Sequence, residues 1–260
     1  MNIVVCVKQV PDSWAEKKLD PSDNTLDRAS VDAVMNELDE YAIEEALRIK
    51  EAQGEGEVIV LTVGPDNATD TIRKALSMGA DRAIHVVDDA IHGSDAPATS
   101  AALAAALGKT AYDLVILGSE STDARTSIVP ALLAERLGVA QLTYANKVEV
   151  GAGTVTIQRQ TDYGYDKVEG ATPAVVSVVE KINEPRYPSF KGIMAAKKKP
   201  VETFSLADLG VDPSTVGLAG SWTKVEDFAQ RPPRSAGTVV TDEGDAGTKI
   251  AEYLVTQKFV

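Results

Sequence analysis

Residues 58–63 read Val58-Ile59-Val60-Leu61-Thr62-Val63, break at Gly64-Pro65, and lead to Ala68, Ile72, Ala75 and Leu76 at i, i+4, i+7 and i+8 before Gly79. A short run rich in β-branched residues, a stop, and then a 3.6-residue period describe a buried strand handing over to an amphipathic helix. The unit repeats on both sides. Upstream, Ile3 to Val7 predicts a strand and residues 39–52 a helix. That helix has an apolar stripe of Leu38, Tyr41, Ala42, Ala46 and Ile49, turns Glu40, Glu44, Arg48 and Glu51 toward water, and has Asn36 or Asp39 as its cap. Downstream come strand Ala83 to Val87, an alanine-rich helix Ala98 to Leu107 capped by Asp95, and strand Leu114 to Leu117. A further helix carries Ile128, Leu132, Leu133 and Leu137 and stops at Gly138. Four β-α units in a row predict an open, mostly parallel, doubly wound α/β sheet.

After residue 140 the period changes to alternation over Val148 to Val150, Thr154 to Gln158 and Ala174 to Val179, with Gly151 and Gly153 marking a hairpin. The expected organisation is a core over 1–182, a distinct segment over 183–200, and a C-terminal extension over 201–260 closed by a helix near Ala246 to Gln257. The extension holds too few apolar residues for its own core, so docking on a partner chain is its natural use.

Composition removes several classes. Of 260 residues, 44% are apolar and 25% charged, which is ordinary globular usage. The net charge of −13 repels nucleic-acid phosphates. The single cysteine, Cys6, cannot form an internal disulfide, and no cysteine/histidine spacing suits zinc. Together with a strand at the N-terminus and no apolar run near the roughly 20 residues of a membrane span, this leads to the expectation of a cytoplasmic protein.

Enzyme motifs are scarce. Gly151-Ala152-Gly153 lies between two strands and reads as a turn, no P-loop is present, and Ser221-Trp222-Thr223-Lys224 and Ser22-Asp23-Asn24 stand in the wrong order for a penicillin-binding set. His85 and His92 have no metal spacing, and Cys6 reads as a small buried hydrophobe. The stronger signal is positional, because open α/β sheets bind ligands beyond the carboxyl ends of their strands. Those ends are Cys6 to Gln9, Val63-Gly64 and Gly118 to Ser121, and the next helix, expected to begin near Thr126-Ser127, brings free amides, two hydroxyls and Arg125 together as a phosphate seat. The same residues also read as a capping loop, with Asp123 as a further cap, and the sequence leaves both open.

A second signal is residues 183–199. Arg186, Lys191 and Lys197 to Lys199 outnumber Glu184 by four, and Phe190, Ile193 and Met194 fall at helical spacing between them. An apolar patch rimmed by lysines suits an acidic partner, although core residues beside a solvated charge run fit the pattern equally.

Several stretches carry a resemblance. Val7-Lys8-Gln9-Val10-Pro11-Asp12, Asn36 with Tyr41-Ala42-Ile43-Glu44-Glu45-Ala46, and Ile72 to Arg82 resemble the beta subunit of electron transfer flavoproteins. So does Asn183-Glu184-Pro185-Arg186-Tyr187-Pro188 continuing through Gly192-Ile193-Met194 to Lys199, and the likeness runs along essentially the whole chain. The resemblance implies a Rossmann-like, adenine-nucleotide-binding fold and a heterodimer with an alpha subunit that holds most of one FAD. It implies an electron carrier and not an enzyme, reduced by flavin dehydrogenases such as those of acyl-CoA in fatty acid oxidation and reoxidised by a membrane quinone oxidoreductase. AMP buried in this subunit is implied at Cys6, Asn36, Glu37, Leu38, Asp39, Val63 and Asp123, Ala124, Arg125, Thr126, Ser127, Ile128 and Val129. A partner-recognition loop is implied at Tyr187, Phe190, Lys191, Ile193, Met194, Lys197 and Lys198, with Phe190 where many relatives have an anchoring leucine.

Three departures bear on this. Ser13-Trp14 replaces a tyrosine that touches the flavin in many relatives, and Gly118-Ser119-Glu120-Ser121-Thr122-Asp123 replaces Gly-Lys-Gln-Ala-Ile-Asp. Gly93 to Ser100 looks like a segment of electron-bifurcating relatives, in which a second FAD takes the place of AMP and NADH is oxidised. The alternatives are therefore a bifurcating subunit and, without residues 183–260, a free-standing nucleotide-binding protein.

Overall fold

Strands that are apolar on both faces need helices on both faces, and the chain supplies them in sequence order. The computed structural model describes residues 1–234, 236–237 and 239–260. Contacts divide them into two units, residues 1–226 and 227–260. In the first, β1 (Asn2–Cys6) is followed by a separate two-stranded sheet, β2 (Gln9–Pro11) and β3 (Ala33–Met35), and then by α1 (Glu37–Gln53). Alternating elements follow: β4 (Glu57–Val63), α2 (Thr69–Met78), β5 (Arg82–Val86), α3 (Ala96–Leu107), β6 (Leu114–Gly118) and α4 (Val129–Leu137). The antiparallel part comprises β7 (Ala140–Val150), β8 (Thr154–Thr161) and β9 (Gly164–Ala171), and β10 (Ala174–Val178) returns to the sheet centre. Last come α5 (Phe190–Ala196), β11 (Val201–Phe204), α6 (Leu206–Leu209) and α7 (Gly217–Gly220).

The nine-stranded sheet has the order β11-β5-β4-β1-β6-β10-β7-β8-β9. Every pairing from β11 to β7 is parallel, and those of β7 with β8 and β8 with β9 are antiparallel. This is the expected doubly wound α/β sheet with a mixed edge. Period 2 divides the strand residues between two cores. Ile3, Val5, Val58, Val60 and Ile116 pack with Ile43, Leu47, Ile72 and Leu76 of α1 and α2. Val4, Cys6, Ile59, Leu61 and Leu117 pack with Leu103, Leu107 and Leu133 of α3 and α4. Asp95 caps α3, its carboxylate accepting from Ala98 N at 3.0 Å.

One boundary and one burial differ from the sequence expectation. Residues 201–226 belong to the first unit, because Val201 to Phe204 pair with Ala83 to Val86 at the sheet edge and Leu206 is fully buried. A four-residue strand adds an edge with hardly any apolar excess, so composition does not show it. Glu44, expected in water, is buried, because Arg186 closes over it. The second unit contains α8 (Ala246–Thr256), whose Ile250, Tyr253 and Val255 are exposed. No helix among the described residues is long and apolar enough to cross a membrane.

Candidate functional site: the crevice between two strand ends

From β1 the chain proceeds outward through β4 to β5 and then returns to place β6 on the other side of β1. The order therefore reverses between β1 and β6, and at such a switch point the two loops diverge and leave a crevice. The first turn of α1 fills its floor. Asn36 Nδ2 donates to Asp39 Oδ1 and to the Glu120 carbonyl, both at 3.0 Å, and Asn36 Oδ1 accepts from Thr122 N at 3.0 Å. Asp39 Oδ2 accepts from Lys8 N at 2.8 Å and Oδ1 from Gly118 N at 3.2 Å. These two buried side chains thus cross-link the ends of β1 and β6, and neither makes the helix-capping bond expected of it. Burial pushes the Asp39 carboxyl up to about 7, against the opposing pull of its N–H donors. Burial, with the Asp39 charge adding to it, pushes the Cys6 thiol up to about 12, so Cys6 behaves as core.

Above the floor lies Asp123, its side chain 1% exposed and gripped by Lys8 Nζ at 2.9 Å and Arg28 at 2.7 Å. Burial alone would raise this carboxyl, but the two cations hold it well below the usual carboxylate range. Asp123 therefore does not cap α4.

The segment leading into α4 is held in an unusual shape. Arg125 and Ser127 have φ of 49° and 52°, in the left-handed region, and Ile128 returns to the right-handed one. Arg125 N donates to Ser121 O at 2.9 Å, and Ser127 Oγ donates to Glu120 Oε2 at 2.9 Å. α4 begins at Val129 and not near Thr126-Ser127, and no side chain caps it. Among the described residues the amides of Thr126, Ser127, Ile128 and Val129 find no acceptor in the chain. Left-handed and right-handed residues in succession converge their N–H groups into a concavity suited to an anion, and here it opens at the positive end of a helix. The hydroxyls expected to cap this turn are engaged elsewhere or exposed.

Cys6, Leu38 and Asp39 thus meet at the ends of β1 and β6, Asn36 ties them to Thr122 and Lys8 to Asp123, and Val63 ends the neighbouring strand β4. Glu37, Ala124, Arg125, Thr126 and Ile128 are exposed. Sequence reasoning reaches Lys8 and Glu120 only as members of the strand ends, with no role, and does not reach Arg28. Lys8 had a signal, as a cation directly after a buried strand, whereas Arg28 lies 95 residues from its partner and had none.

The second sequence signal also has a defined shape. Arg186 forks onto Glu44 and Glu51, both contacts as close as 2.6 Å, and Asn183 Nδ2 donates to Tyr41 O at 3.0 Å, so this stretch is anchored on α1. Ser189 caps α5, and Gly192 is required because a Cβ there would lie 2.4 Å from the Ser77 carbonyl of α2. Lys199 is not part of a solvated rim, since its ammonium reaches back to the carbonyls of Leu76 and Ala80 at the end of α2. On this rigid base Tyr187, Phe190, Ile193 and Met194 are exposed, Phe190 by 81%, with Lys191, Lys197 and Lys198 around them.

The sheet order and its flanking helices define a doubly wound α/β protein. Residues 23–209 match the electron transfer flavoprotein domain family. The chain is 53% identical over 264 residues to "Electron transfer flavoprotein subunit beta" of Mycobacterium leprae (strain TN), covering 100% of this chain and 99% of that protein. It is 38% identical over 271 residues to the protein of that name from Megasphaera elsdenii, covering 100% of both. To "Caffeyl-CoA reductase-Etf complex subunit CarD" of Acetobacterium woodii it is 37% identical, covering 99% of this chain and 97% of the other. The chain belongs to the electron transfer flavoprotein family, as a beta subunit.

Proposed function

We propose that this chain is the non-catalytic half of a two-subunit electron carrier, in which an alpha subunit holds most of one FAD and the present chain supplies a base, a structural AMP and the docking surface for electron donors. The observation that carries the reading is α5, whose apolar side chains stand in solvent on a base fixed by Arg186 and Ser189. A fixed helix with an exposed aromatic surrounded by lysines suits a flavin dehydrogenase with an apolar pocket and an acidic rim, acyl-CoA dehydrogenases being the class implied by the family resemblance. Electrons then pass to a membrane quinone oxidoreductase. Bound FAD supplies the one-electron chemistry; this chain's residues orient and dock.

The ligand we assign to the crevice is an adenine nucleotide. The four free amides before α4 suit its phosphate, while the amides of Lys8 and Gly118 are already engaged by Asp39 and are not available to it. The runner-up is a bifurcating subunit with FAD in this crevice and NADH as donor, favoured by Gly93 to Ser100. Against it, Asp95 in that segment already accepts from the amides of Trp222 and Thr223 at 2.8 and 3.0 Å.

The test is co-expression with the alpha subunit and reduction by an acyl-CoA dehydrogenase. The complex should be yellow and reducible, and this chain alone colourless with residues 227–260 open to protease. An isolated chain carrying stoichiometric FAD would overturn the proposal.

A further inference from the structure

Between β2 and β3 the chain makes a detour that the sheet does not need. Leu19 and Leu26 form an antiparallel bridge, Asp27 N donates to Lys18 O at 2.9 Å, and Asp20 N donates to Thr25 O at 2.7 Å. Residues 18–27 are therefore a small hairpin, fastened at both ends. At its base, Arg28 binds Asp123 at 2.7 Å and Lys17 Nζ donates to the Thr122 carbonyl at 2.7 Å. At its tip, Asp23 Oδ2 lies 2.7 Å from His92 Nε2, and Asn24 Nδ2 donates to the Val225 carbonyl at 3.0 Å.

The two anchor points belong to different connections. Asp123 lies between β6 and α4, and His92 between β5 and α3. In the sheet, β1 and β4 lie between β6 and β5, and α3 and α4 pack on one face of it. A segment tied at both anchors therefore crosses the carboxyl ends of β1 and β4 on the α3/α4 side, over Cys6 and Val63. The span is feasible: three inter-strand spacings come to about 14 Å, and beyond the turn that the Asn24 N–H to Asp20 carbonyl bond closes, residues 25–28 and the long Arg28 side chain cover it together with the Asp23 and His92 side chains at the far anchor.

We propose that the hairpin 18–27 is a flap latched over the crevice, and that the Arg28–Asp123 and Asp23–His92 contacts set how fast a nucleotide leaves. The inference rests on the proposed AMP in the crevice. The flap buries few apolar groups of its own, so its closure depends on these polar latches, and such segments open locally without global unfolding.

The experiment uses the co-expressed complex and the double variant Asp23→Asn/Arg28→Ala. Labelled AMP is loaded and chased with unlabelled AMP, and in parallel hydrogen exchange is read by mass spectrometry over residues 18–27, where the amides of Asp20, Asn24 and Asp27 are bonded in the hairpin. The variant should release AMP roughly tenfold faster, the effect of losing two polar contacts of modest strength, and exchange over 18–27 should quicken by a similar factor. Adding Arg28→Lys in place of Arg28→Ala should restore part of the retention. A wild-type rate of AMP release would overturn the flap. Faster exchange over 18–27 in a complex that holds no adenine nucleotide would instead support the latches and remove AMP from the crevice.

Discussion

The carboxylate of Asp39 lies 3.2 Å from the amide of Gly118, an approach that only a residue without a β-carbon at 118 permits. A Cβ there would come within 2.7 Å of both Asp39 Oδ1 and Leu38 Cβ. Gly118→Ala should push α1 away from the end of β6 and cost about 1–3 kcal/mol, the usual penalty of overpacking, measured by urea unfolding. A stability equal to wild type would show that α1 is not seated against this strand.

Asp39 also gives the fold a pH signature. Its carboxyl is raised from 3.8 to about 7 by burial, so in the intervening range the folded chain keeps a proton that the unfolded chain has lost. Stability from this group is present below the ordinary carboxylate value and lost as pH rises through about 7, with a slope of at most about 1.4 kcal/mol per pH unit. Asp39→Asn should abolish that slope. At neutral pH it should also be less stable by about 1–3 kcal/mol, because an amide N–H then faces the amides of Lys8 or Gly118. An unchanged slope in the variant would assign the titration elsewhere.

Arg186 and Glu44 make the opposite case. The Arg186 guanidinium and Arg48 hold Glu44 below its usual value of 4.5 although burial opposes them, so this pair contributes stability above that pH and loses it on acidification. Arg186→Ala leaves a buried carboxylate with only Arg48. With Arg186 one-third exposed, the cost should be about 2–3 kcal/mol, below that of a fully buried pair. Amide hydrogen exchange should rise over residues 183–190. Protection equal to wild type there would mean that α5 does not depend on α1.

Docking should separate into two parts. Phe190→Ala should remove an anchor worth about 2 kcal/mol and raise the apparent KM for the complex with a dehydrogenase about thirtyfold, with flavin content normal. Neutralising Lys197 and Lys198 should mainly slow association and flatten its salt dependence, because rim charges steer more than they hold. Steady-state turnover at two ionic strengths distinguishes the two, and unchanged kinetics for Phe190→Ala would return α5 to a structural turn.

What was legible in the sequence follows from range. The strands β4, β5 and β6 and the helices behind them announce themselves through local period, and Asp95 and Gly138 through local turn chemistry. Asn36 and Asp39 were visible as polar residues at a helix start, but the strand ends they bond lie 31 to 86 residues away, so a local rule assigned them the wrong bonds. Glu44 looked solvent-facing because the burying residue, Arg186, comes 142 residues later. The strand β11 escaped notice because an edge strand needs only one apolar face and four residues.

We propose that the uncapped turn before α4 seats the phosphate of an adenine nucleotide. It is tested most directly by extracting nucleotides from the purified complex of wild type and Ser127→Glu. Wild type should yield about one AMP and one FAD per heterodimer, and the variant FAD alone, since a carboxylate beside the free amides of 126–129 repels a phosphate. Equal AMP in both, or two FAD and no AMP in wild type, would contradict the account.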